Sequence, residues 1–541
     1  MSSSTRRIIN LLATSRRPPT TVLQYPPLFF LSNERIAKLM AATDKLEKST
    51  AGKETPKKRK DGSRNRRKSD VNPDAKGRWA RRGTRKDGEQ PRELDPDRAP
   101  RLPKRQCALL IGFCGTGCSG MQINPGMRTI EGLLFEALVK VGCVSQDNSD
   151  DPKKVNLGRA ARTDAGVHAA GNVVSIKLIS EIPGIHDIVE AMNEHLPPEI
   201  RVWGCVRVQN SFSARTFCDS RKYTYFFPSY CLIPPKPGSG LYNSMRSSDP
   251  SASPAAGIHT FWKDAGDNES KEDELARKRR WRIGVDDLAR LRETARKYEA
   301  THNFHNFTIG REFADRSNQR VMKTIGVADP QVYSETEWIA VMFHGQSFML
   351  HQRKMMAALV LSVRTHTPPQ IIDELYGPRR VFVPKMPSLG LLLESPIFDS
   401  YNRRVEGINE KLMPDDKEYR PPISFGIYAE RLARFKEEHI YFRMRDIEDR
   451  GGVFDAWIRS VDGYTGNDLL WLNPKGTIPG ICILKKDERR ANSFKERKRF
   501  DLTDYSAVQL VEVEKEVEED DADEEQEEEN LDKAKLADME G

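Results

Sequence analysis

The sequence predicts an α+β fold, and two observations support this prediction. Strand-like and helix-like segments alternate in two similar sets, at about residues 105–230 and 284–400. A segment rich in Pro, Gly and Ser that runs into mixed charges separates the two sets, which is typical of a surface insertion. We therefore divide the central part of the 541-residue chain into a first half at residues 104–234, an insertion at 235–283 and a second half at 284–402.

Charge is distributed unevenly along the chain. Residues 1–100 contain 25 Lys and Arg against 12 Asp and Glu, whereas residues 511–541 contain 3 against 16. Because these two excesses cancel and the whole chain carries +8, residues 101–510 have a net charge of +8 themselves. A basic central section suits a polyanionic substrate.

Both ends of the chain have the composition of disordered segments, which we expect at residues 1–103 and 501–541. Residues 1–33 contain no acidic residue, which is typical of a mitochondrial targeting peptide or of an ordinary disordered tail. Basic clusters at residues 57–60 and 64–68 are typical of a nuclear import signal or of a nonspecific RNA-binding arm. We therefore expect the protein in the nucleus, with the mitochondrion as a second compartment.

Several classes of protein are disfavoured. Eight cysteines in so long a chain, without a CxxC pair, do not indicate a disulfide framework or structural zinc. Cys114 and Cys118 lie near each other but lack a second pair, so we expect no metal there. No apolar run reaches the roughly 18 residues that span a bilayer, so we expect no membrane segment.

The first half begins with an apolar strand at residues 107–113, followed by the glycine-rich sequence GFCGTGCSGMQ. Gly115, Gly117 and Gly120 match the GxGxxG fingerprint of dinucleotide-binding proteins. In that fingerprint the third glycine opens a helix at once, whereas the helical pattern here begins only at residues 129–141. A nucleotide-dependent oxidoreductase is therefore disfavoured, although it remains an alternative that a binding experiment can test.

The sequence GRAARTDAGVHAAG, at residues 158–171, contains the acid on which the functional prediction depends. Asp164 lies between Arg159 and Arg162 on one side and Gly166 on the other, and an apolar run follows shortly afterwards, so the acid lies on a loop that leads into a strand. A carboxylate between guanidinium groups stays ionised and can act as a nucleophile or base. The alternative is an Asp-Ala-Gly turn in which the carboxylate binds only its own backbone.

The remaining elements follow from apolar periodicity. We predict strands at 173–179, 201–208, 221–227, 320–328 and 337–343, helices at 185–195, 284–298 and 348–363, and a helical and basic extension at 403–500. Within the extension, residues 424–460 are helical and Phe435, Ile440 and Trp457 are packing anchors. The basic segment at 485–499 is either a solvated face or an RNA-binding patch.

His302 and His305, in the sequence THNFHNFT, have the spacing of a metal-binding pair. No third ligand is evident, so an RNA contact or packing is favoured over a metal site.

These motifs resemble those of the TruA-type tRNA pseudouridine synthase family, and in particular its eukaryotic branch, pseudouridine synthase 1. The matching segments are the Asp164 loop, Gly-Met-Gln at 120–122, the Arg-x-Tyr-x-Tyr motif at 221–225 and the Gly-Leu segment within 381–402. The resemblance implies two ferredoxin-like (RRM-like) halves with a basic cleft between them, and a strand beside the pocket from the Gly-Leu segment. It also implies isomerisation of uridine to pseudouridine at several positions in tRNA, with small nuclear RNA and mRNA as further candidate substrates. It implies no cofactor and favours a monomer.

The resemblance also implies roles for individual residues. Asp164 is the essential catalytic residue, Tyr223 stacks on the target uracil and is a candidate base, and Arg353 pairs with Asp164. Arg162 takes the place that the target nucleotide leaves in the RNA. The other predicted RNA contacts are Arg159, His168, Arg215 and Arg221.

One segment departs from the family pattern. The branch usually reads Leu-His-Gln-Ile-Arg-Lys-Met, whereas this chain lacks the isoleucine between Gln352 and Arg353. Losing one residue from a helix rotates one side by about 100° relative to the other. Three explanations are open. The start of the helix could compensate for the lost residue, Arg353 could point away from Asp164, or the sequence could contain an error at this point. A second hypothesis is therefore an RNA-binding protein that kept the fold but lost catalysis.

Overall fold

The computed structural model describes residues 102–247, 259–265, 269–485, 490, 492–497 and 500. The predicted targeting segment, the two amino-terminal basic clusters and the acidic tail lie outside these residues, and the basic segment at 485–499 lies partly outside them. In the described part of the chain, no helix combines the length and the apolar composition needed to cross a membrane.

The described strands are β1 (Lys104–Phe113), β2 (Gly158–Arg159), β3 (His168–Ile179), β4 (Ile200–Arg207), β5 (Ser220–Pro228), β6 (Ala300–Asn303), β7 (Gln319–Val327), β8 (Gln331–Tyr333), β9 (Thr336–Gly345) and β10 (Leu391–Ile397). They form one sheet in the order β4-β1-β3-β10-β5-β9-β7-β6, with β2 paired to β3 and β8 paired to β9.

The helices over the same described residues are α1 (Ile130–Val141), α2 (Ile188–His195), α3 (Gly240–Ser247), α4 (Thr260–Lys263), α5 (Lys271–Arg280), α6 (Val285–Arg296), α7 (Lys354–Arg364), α8 (Ile371–Leu375), α9 (Asp399–Asn409), α10 (Ala429–Phe435), α11 (Phe442–Gly451) and α12 (Val453–Asp462). The predicted α+β class is confirmed.

Strand β10 joins the two halves of the sheet. It belongs to the second half, yet it lies between β3 and β5, parallel to the former and antiparallel to the latter. In this register Leu392 lies opposite His168, the first residue of β3, and Leu393 lies opposite Tyr223 of β5. The loop that precedes β3 and the middle of β5 are therefore brought together, although they are far apart in the sequence.

Helix α1 forms where the sequence predicts it, because both of its ends are capped. The Thr129 side chain accepts a hydrogen bond from the Gly132 N–H, and Gly142 ends the helix with φ of 84°. The apolar face predicted for the helix is buried against β1 and β3, apart from a partly buried Leu133. Each fully buried Leu or Ile of this face contributes roughly 1.5–3 kcal/mol.

The interpretation of residues 235–283 as a surface loop is wrong, because helices α3, α4 and α5 lie there. Helix α5 has acidic residues in its first turn and basic residues in its last, and Ser270 caps it by accepting from the Asp273 N–H. Phe261 and Trp262 of α4 are buried. Composition misled the prediction, whereas the capping and charge pattern of α5 contained the correct signal.

The carboxy-terminal extension is helical, as predicted, and a π-helical segment at Lys436–Tyr441 joins α10 to α11. All three predicted anchors, Phe435, Ile440 and Trp457, are buried. The Phe435 ring packs edge-on against Trp203 of β4, with 5.2 Å between the ring centroids. The extension therefore packs directly against the sheet.

Candidate active site

The loop that precedes β3 lies on the glycine-rich turn that follows β1. Met121 donates its N–H to the Thr163 carbonyl oxygen at 3.1 Å. A Cβ atom on Gly120 would lie 2.9 Å from that same oxygen, and one on Gly115 would lie 2.1 Å from the Val167 carbonyl oxygen. Two glycines of the GxGxxG pattern therefore serve the close approach of two backbone segments, which accounts for them without a nucleotide.

Two of the predicted RNA contacts anchor this loop instead. Arg159 donates to the buried Glu131 of α1, whose pKa is raised by burial and lowered in part by the guanidinium. Arg221 donates from Nε and Nη2 to the Ala160 carbonyl oxygen at 3.1 and 2.6 Å, and from Nη1 to the Gln346 carbonyl oxygen at 3.3 Å. Because Arg221 is only 3% exposed, it holds the loop to the end of β9 from inside the protein.

His168 also lies inside the protein, which disagrees with its prediction as an RNA contact. Its side chain is fully buried, and Nδ1 accepts a hydrogen bond from the Gly115 N–H at 3.1 Å. Burial lowers the pKa of the imidazole to about 3, so the ring is neutral near pH 7. The sequence could not show this, because a polar residue that ends a loop motif looks the same whether it is buried or exposed.

The three residues predicted to be catalytic line one cavity of about 90 Å³ between the two halves of the sheet. Asp164 reaches it from the loop, Tyr223 from β5 and Arg353 from the segment before α7. Arg162 lines the same cavity and is half-buried, whereas Arg215 is exposed and does not line it. Leu391 of β10 also lines the cavity, as predicted for a strand beside the pocket.

The segment that lacks the isoleucine forms a turn before helix α7. The predicted helix at 348–363 begins only at Lys354, and a turn precedes it in which His351 has a φ of 55°. The Lys354 N–H donates to the His351 carbonyl oxygen at 3.0 Å, which closes the turn. Arg353 is buried at the helix start and still lines the cavity with Asp164.

Sequence reasoning missed His351. Its Nδ1 lies 3.5 Å from Oδ2 of Asp164, and the two side chains are 13% and 28% exposed. The Asp164 carboxylate therefore has a histidine ring nitrogen within ion-pair distance. No local signal in the sequence could have found it, because the contact depends on the turn geometry of the folded segment.

Tyr223 presents its ring to the cavity. The ring packs edge-on against Phe348, with 4.7 Å between centroids and 69° between planes. Burial raises the pKa of the phenol to about 12, so almost none of it is ionised near neutral pH. The environment therefore suits a stacking surface better than it suits the predicted base.

The histidine pair of the second half has a packing role. His302 stacks on Tyr376 with 4.1 Å between ring centroids, and Nε2 of the buried His305 lies 2.7 Å from the Gly377 carbonyl oxygen. Across the described residues, no group of three or more His, Cys, Asp or Glu could hold a metal ion. Packing, one of the two interpretations favoured from the sequence, is what the structure shows.

Comparison with known proteins gives the family. A family model described as tRNA pseudouridine synthase matches residues 294–399. The tRNA pseudouridine synthase 1 of Eremothecium gossypii is 42% identical over 410 residues, covering 68% of this chain and 75% of the relative. The protein of the same name from Saccharomyces cerevisiae is 39% identical over 407 residues, covering 68% and 72%. The tRNA pseudouridine(27/28) synthase of Saccharomyces cerevisiae is 36% identical over 396 residues, covering 65% and 98%.

The sheet, the cavity between its halves and these similarities agree on an isomerase that acts on a nucleoside. The chain belongs to the tRNA pseudouridine synthase family, on the eukaryotic branch identified from its motifs.

Proposed function

We propose that this enzyme converts uridine to pseudouridine at several positions in tRNA, with Asp164 as the residue that acts on the target nucleotide. The observation that carries the proposal is the convergence of Asp164, Tyr223 and Arg353 on one cavity, with His351 facing the carboxylate. A carboxylate with cationic neighbours stays ionised and available for attack or proton transfer.

The reaction breaks the bond between uracil N1 and the ribose, turns the base and forms a bond from the same ribose carbon to uracil C5. The proton on C5 leaves and a proton is gained at N1, so the product is an isomer and no electrons are exchanged. The side chains must therefore hold a detached base and stabilise charge on the sugar. Asp164 can do the latter, and the Tyr223 ring offers a surface on which uracil stacks.

The target nucleotide must leave its stack to reach the cavity, at a cost of a few kcal/mol. Arg162 is well placed to offset part of this cost, because it is half-buried on the same loop as Asp164 and lines the same cavity. We propose that its guanidinium contacts the RNA at the position that the target nucleotide leaves. Recognition through shape and backbone suits an enzyme that modifies several uridines.

The finer predictions about substrates and location are part of this proposal. Small nuclear RNA and mRNA are further candidate substrates, and the protein acts as a monomer. Nuclear import depends on the clusters at 57–60 and 64–68, and mitochondrial import on residues 1–33. Imaging the tagged full chain beside a version that starts at Met40 tests this, because only the full chain should reach mitochondria.

Asp164→Ala tests the proposed role of the carboxylate. We expect it to abolish tritium release from tRNA that carries 5-tritiated uridine, while tRNA binding stays within about twofold, because the substitution removes the reacting group and leaves the basic surface. The matched control is Asp415→Asn, which changes an exposed carboxylate outside the cavity lining and should leave release unchanged.

The outcomes separate the hypotheses. Retained release by Asp164→Ala would refute the assignment of this residue. Tight tRNA binding without release by the wild-type protein would instead support the RNA-binding protein that lost catalysis. A shift of the melting temperature on titration with NAD(P) would support the oxidoreductase alternative.

A further inference from the structure

A cluster of basic side chains lies on the face of the sheet opposite the cavity. Tyr223 of β5 and Phe343 of β9 are paired and line the cavity. Their neighbours Lys222 and His344 are paired one position along. Because side chains alternate between the faces of a strand, these two project from the other face.

The cluster is organised around the hydroxyl group of Ser220. Its Oγ lies 3.0 Å from Nε2 of His344 and 3.4 Å from Nζ of Lys323 on β7. Ser220 is fully buried, His344 and Lys222 are half-buried, and Lys323 is exposed. The cluster is thus a shallow site with a buried floor and an open edge.

The positive charge of the cluster is not neutralised within the described residues. Burial lowers the pKa of Lys222, and burial with the charges of Lys222 and Lys323 lowers the pKa of His344 to about 4. Asp399 and Glu394 act on Lys222 in the opposite direction, but the described residues place no carboxylate within 4.0 Å of either lysine ammonium. A bound anion would relieve both the desolvation and the repulsion.

The carboxy-terminal extension covers this face only as far as the cluster. On β5, Phe226 packs against Tyr441 with 5.0 Å between ring centroids. Two residues earlier, Thr224 donates to Glu394 at 2.9 Å, and Glu394 is held by Lys436 at 3.1 Å. Glu394 is therefore held by the extension. The next residue of β5 on this face is Lys222, and the neighbouring Lys323 is exposed to solvent.

We propose that Lys222, Lys323 and His344 bind a phosphate group in the backbone of the same RNA whose uridine enters the cavity. This inference rests on the proposed function, because it needs an RNA substrate. The two sites lie on opposite faces of the same ends of β5 and β9, so an RNA strand that passes over this end of the sheet contacts both. Ammonium and imidazole N–H groups are donors that phosphate oxygens accept.

The test is the salt dependence of tRNA binding by the full-length protein. Lys222→Gln/Lys323→Gln should weaken binding and reduce the slope of log K against log salt concentration by about 1, because one phosphate contact is lost. Lys222→Arg/Lys323→Arg keeps both charges and should keep most of the slope.

The matched control is Lys411→Gln/Lys417→Gln, which removes the same charge from two exposed lysines outside both sites. A slope for Lys222→Gln/Lys323→Gln that equals the control slope would overturn the inference. A loss of binding explained by a lowered melting temperature, and not restored by the arginine pair, would also overturn it. Absence of tRNA binding by the wild-type protein would overturn the proposed function as well. If Asp164→Ala is inactive but Lys222→Gln/Lys323→Gln has the salt slope of the wild-type protein, only this inference is contradicted.

Discussion

The two sides of the cavity are held in different ways. The loop with Asp164 is fixed by the partly buried ion pair of Arg159 with Glu131, by Arg221 and by close contact with the glycine-rich turn. The segment with His351 contains a left-handed residue and is held by short-range turn hydrogen bonds and by one long-range bond, from the Thr308 hydroxyl to the Leu350 carbonyl oxygen at 2.9 Å. A turn can change its path without displacing a sheet, so we expect the second side to accommodate the missing residue.

The largest effect on activity should come from a substitution on the side of the cavity that contains the Asp164 loop. Gly115→Ala places a methyl group 2.1 Å from the Val167 carbonyl oxygen, so the loop must move. We expect a destabilisation of about 1–3 kcal/mol and a fall in kcat of about a hundredfold, because a small misplacement of a reacting group is costly.

Gly407→Ala is the control for this substitution, because a Cβ atom there meets nothing within 4 Å. Urea unfolding and single-turnover assays on both variants give the measurement. Equal activity of the two variants would show that the Asp164 loop does not depend on the glycine contact.

On the adjustable side, His351→Gln should lower kcat by about tenfold, because it replaces the ring whose Nδ1 lies 3.5 Å from Oδ2 of Asp164 and a small change in the position of a reacting group is costly. Glutamine keeps a polar side chain at this position but removes the imidazole that faces Asp164. Comparison with Arg353→Gln shows which of the two side chains matters more to the carboxylate. No change in His351→Gln, with a large loss in Arg353→Gln, would assign this support of the carboxylate to the arginine alone.

Tyr223→Phe separates the two roles proposed for the tyrosine. If the ring is a stacking surface, kcat should fall by less than about tenfold, because phenylalanine keeps the ring. If the hydroxyl is the base, the loss should be about 10²–10⁴-fold. The raised pKa of Tyr223 favours the smaller effect, and single-turnover tritium release decides between them.

The smallest effect concerns stability, far from the cavity. Glu448 of α11 is buried and accepts from the Tyr230 hydroxyl and the Phe454 N–H, and burial raises its pKa to about 7. The folded state therefore holds a proton that the unfolded state loses near its ordinary pKa of 4.5. The free energy of unfolding should fall as the pH rises from about 4.5 to 7, by about 1–3 kcal/mol.

In Glu448→Gln this decline should disappear, while other groups continue to titrate. Urea unfolding at a series of pH values measures it. A decline of the same size in the variant would assign the pH dependence to other residues.

Many of the individual helices and strands could be predicted from the sequence because apolar periodicity and helix caps are local. Residues 129–141 show this, since their apolar spacing and Thr129 define α1. The neighbours of β10 could not be predicted, because strand pairing is decided by packing between distant segments. The family motifs, rather than apolar periodicity, predicted that the segment containing β10 forms a strand beside the pocket.

The candidate site could also be predicted only in part from the sequence. The motifs predicted a shared site for Asp164, Tyr223 and Arg353, and all three line one cavity. They could not show that His168 is buried or that His351 faces the acid, because burial and turn geometry depend on the folded neighbours of each residue.

The central claim is that the shortened turn leaves the cavity competent. The most direct measurement compares single-turnover pseudouridine formation by the wild-type protein and by a variant with isoleucine inserted after Gln352. The wild-type protein should be active, with a rate within about tenfold of the variant, because Arg353 and His351 already lie at the cavity with Asp164. Activity in the insertion variant alone, with none in the wild-type protein, would contradict the account.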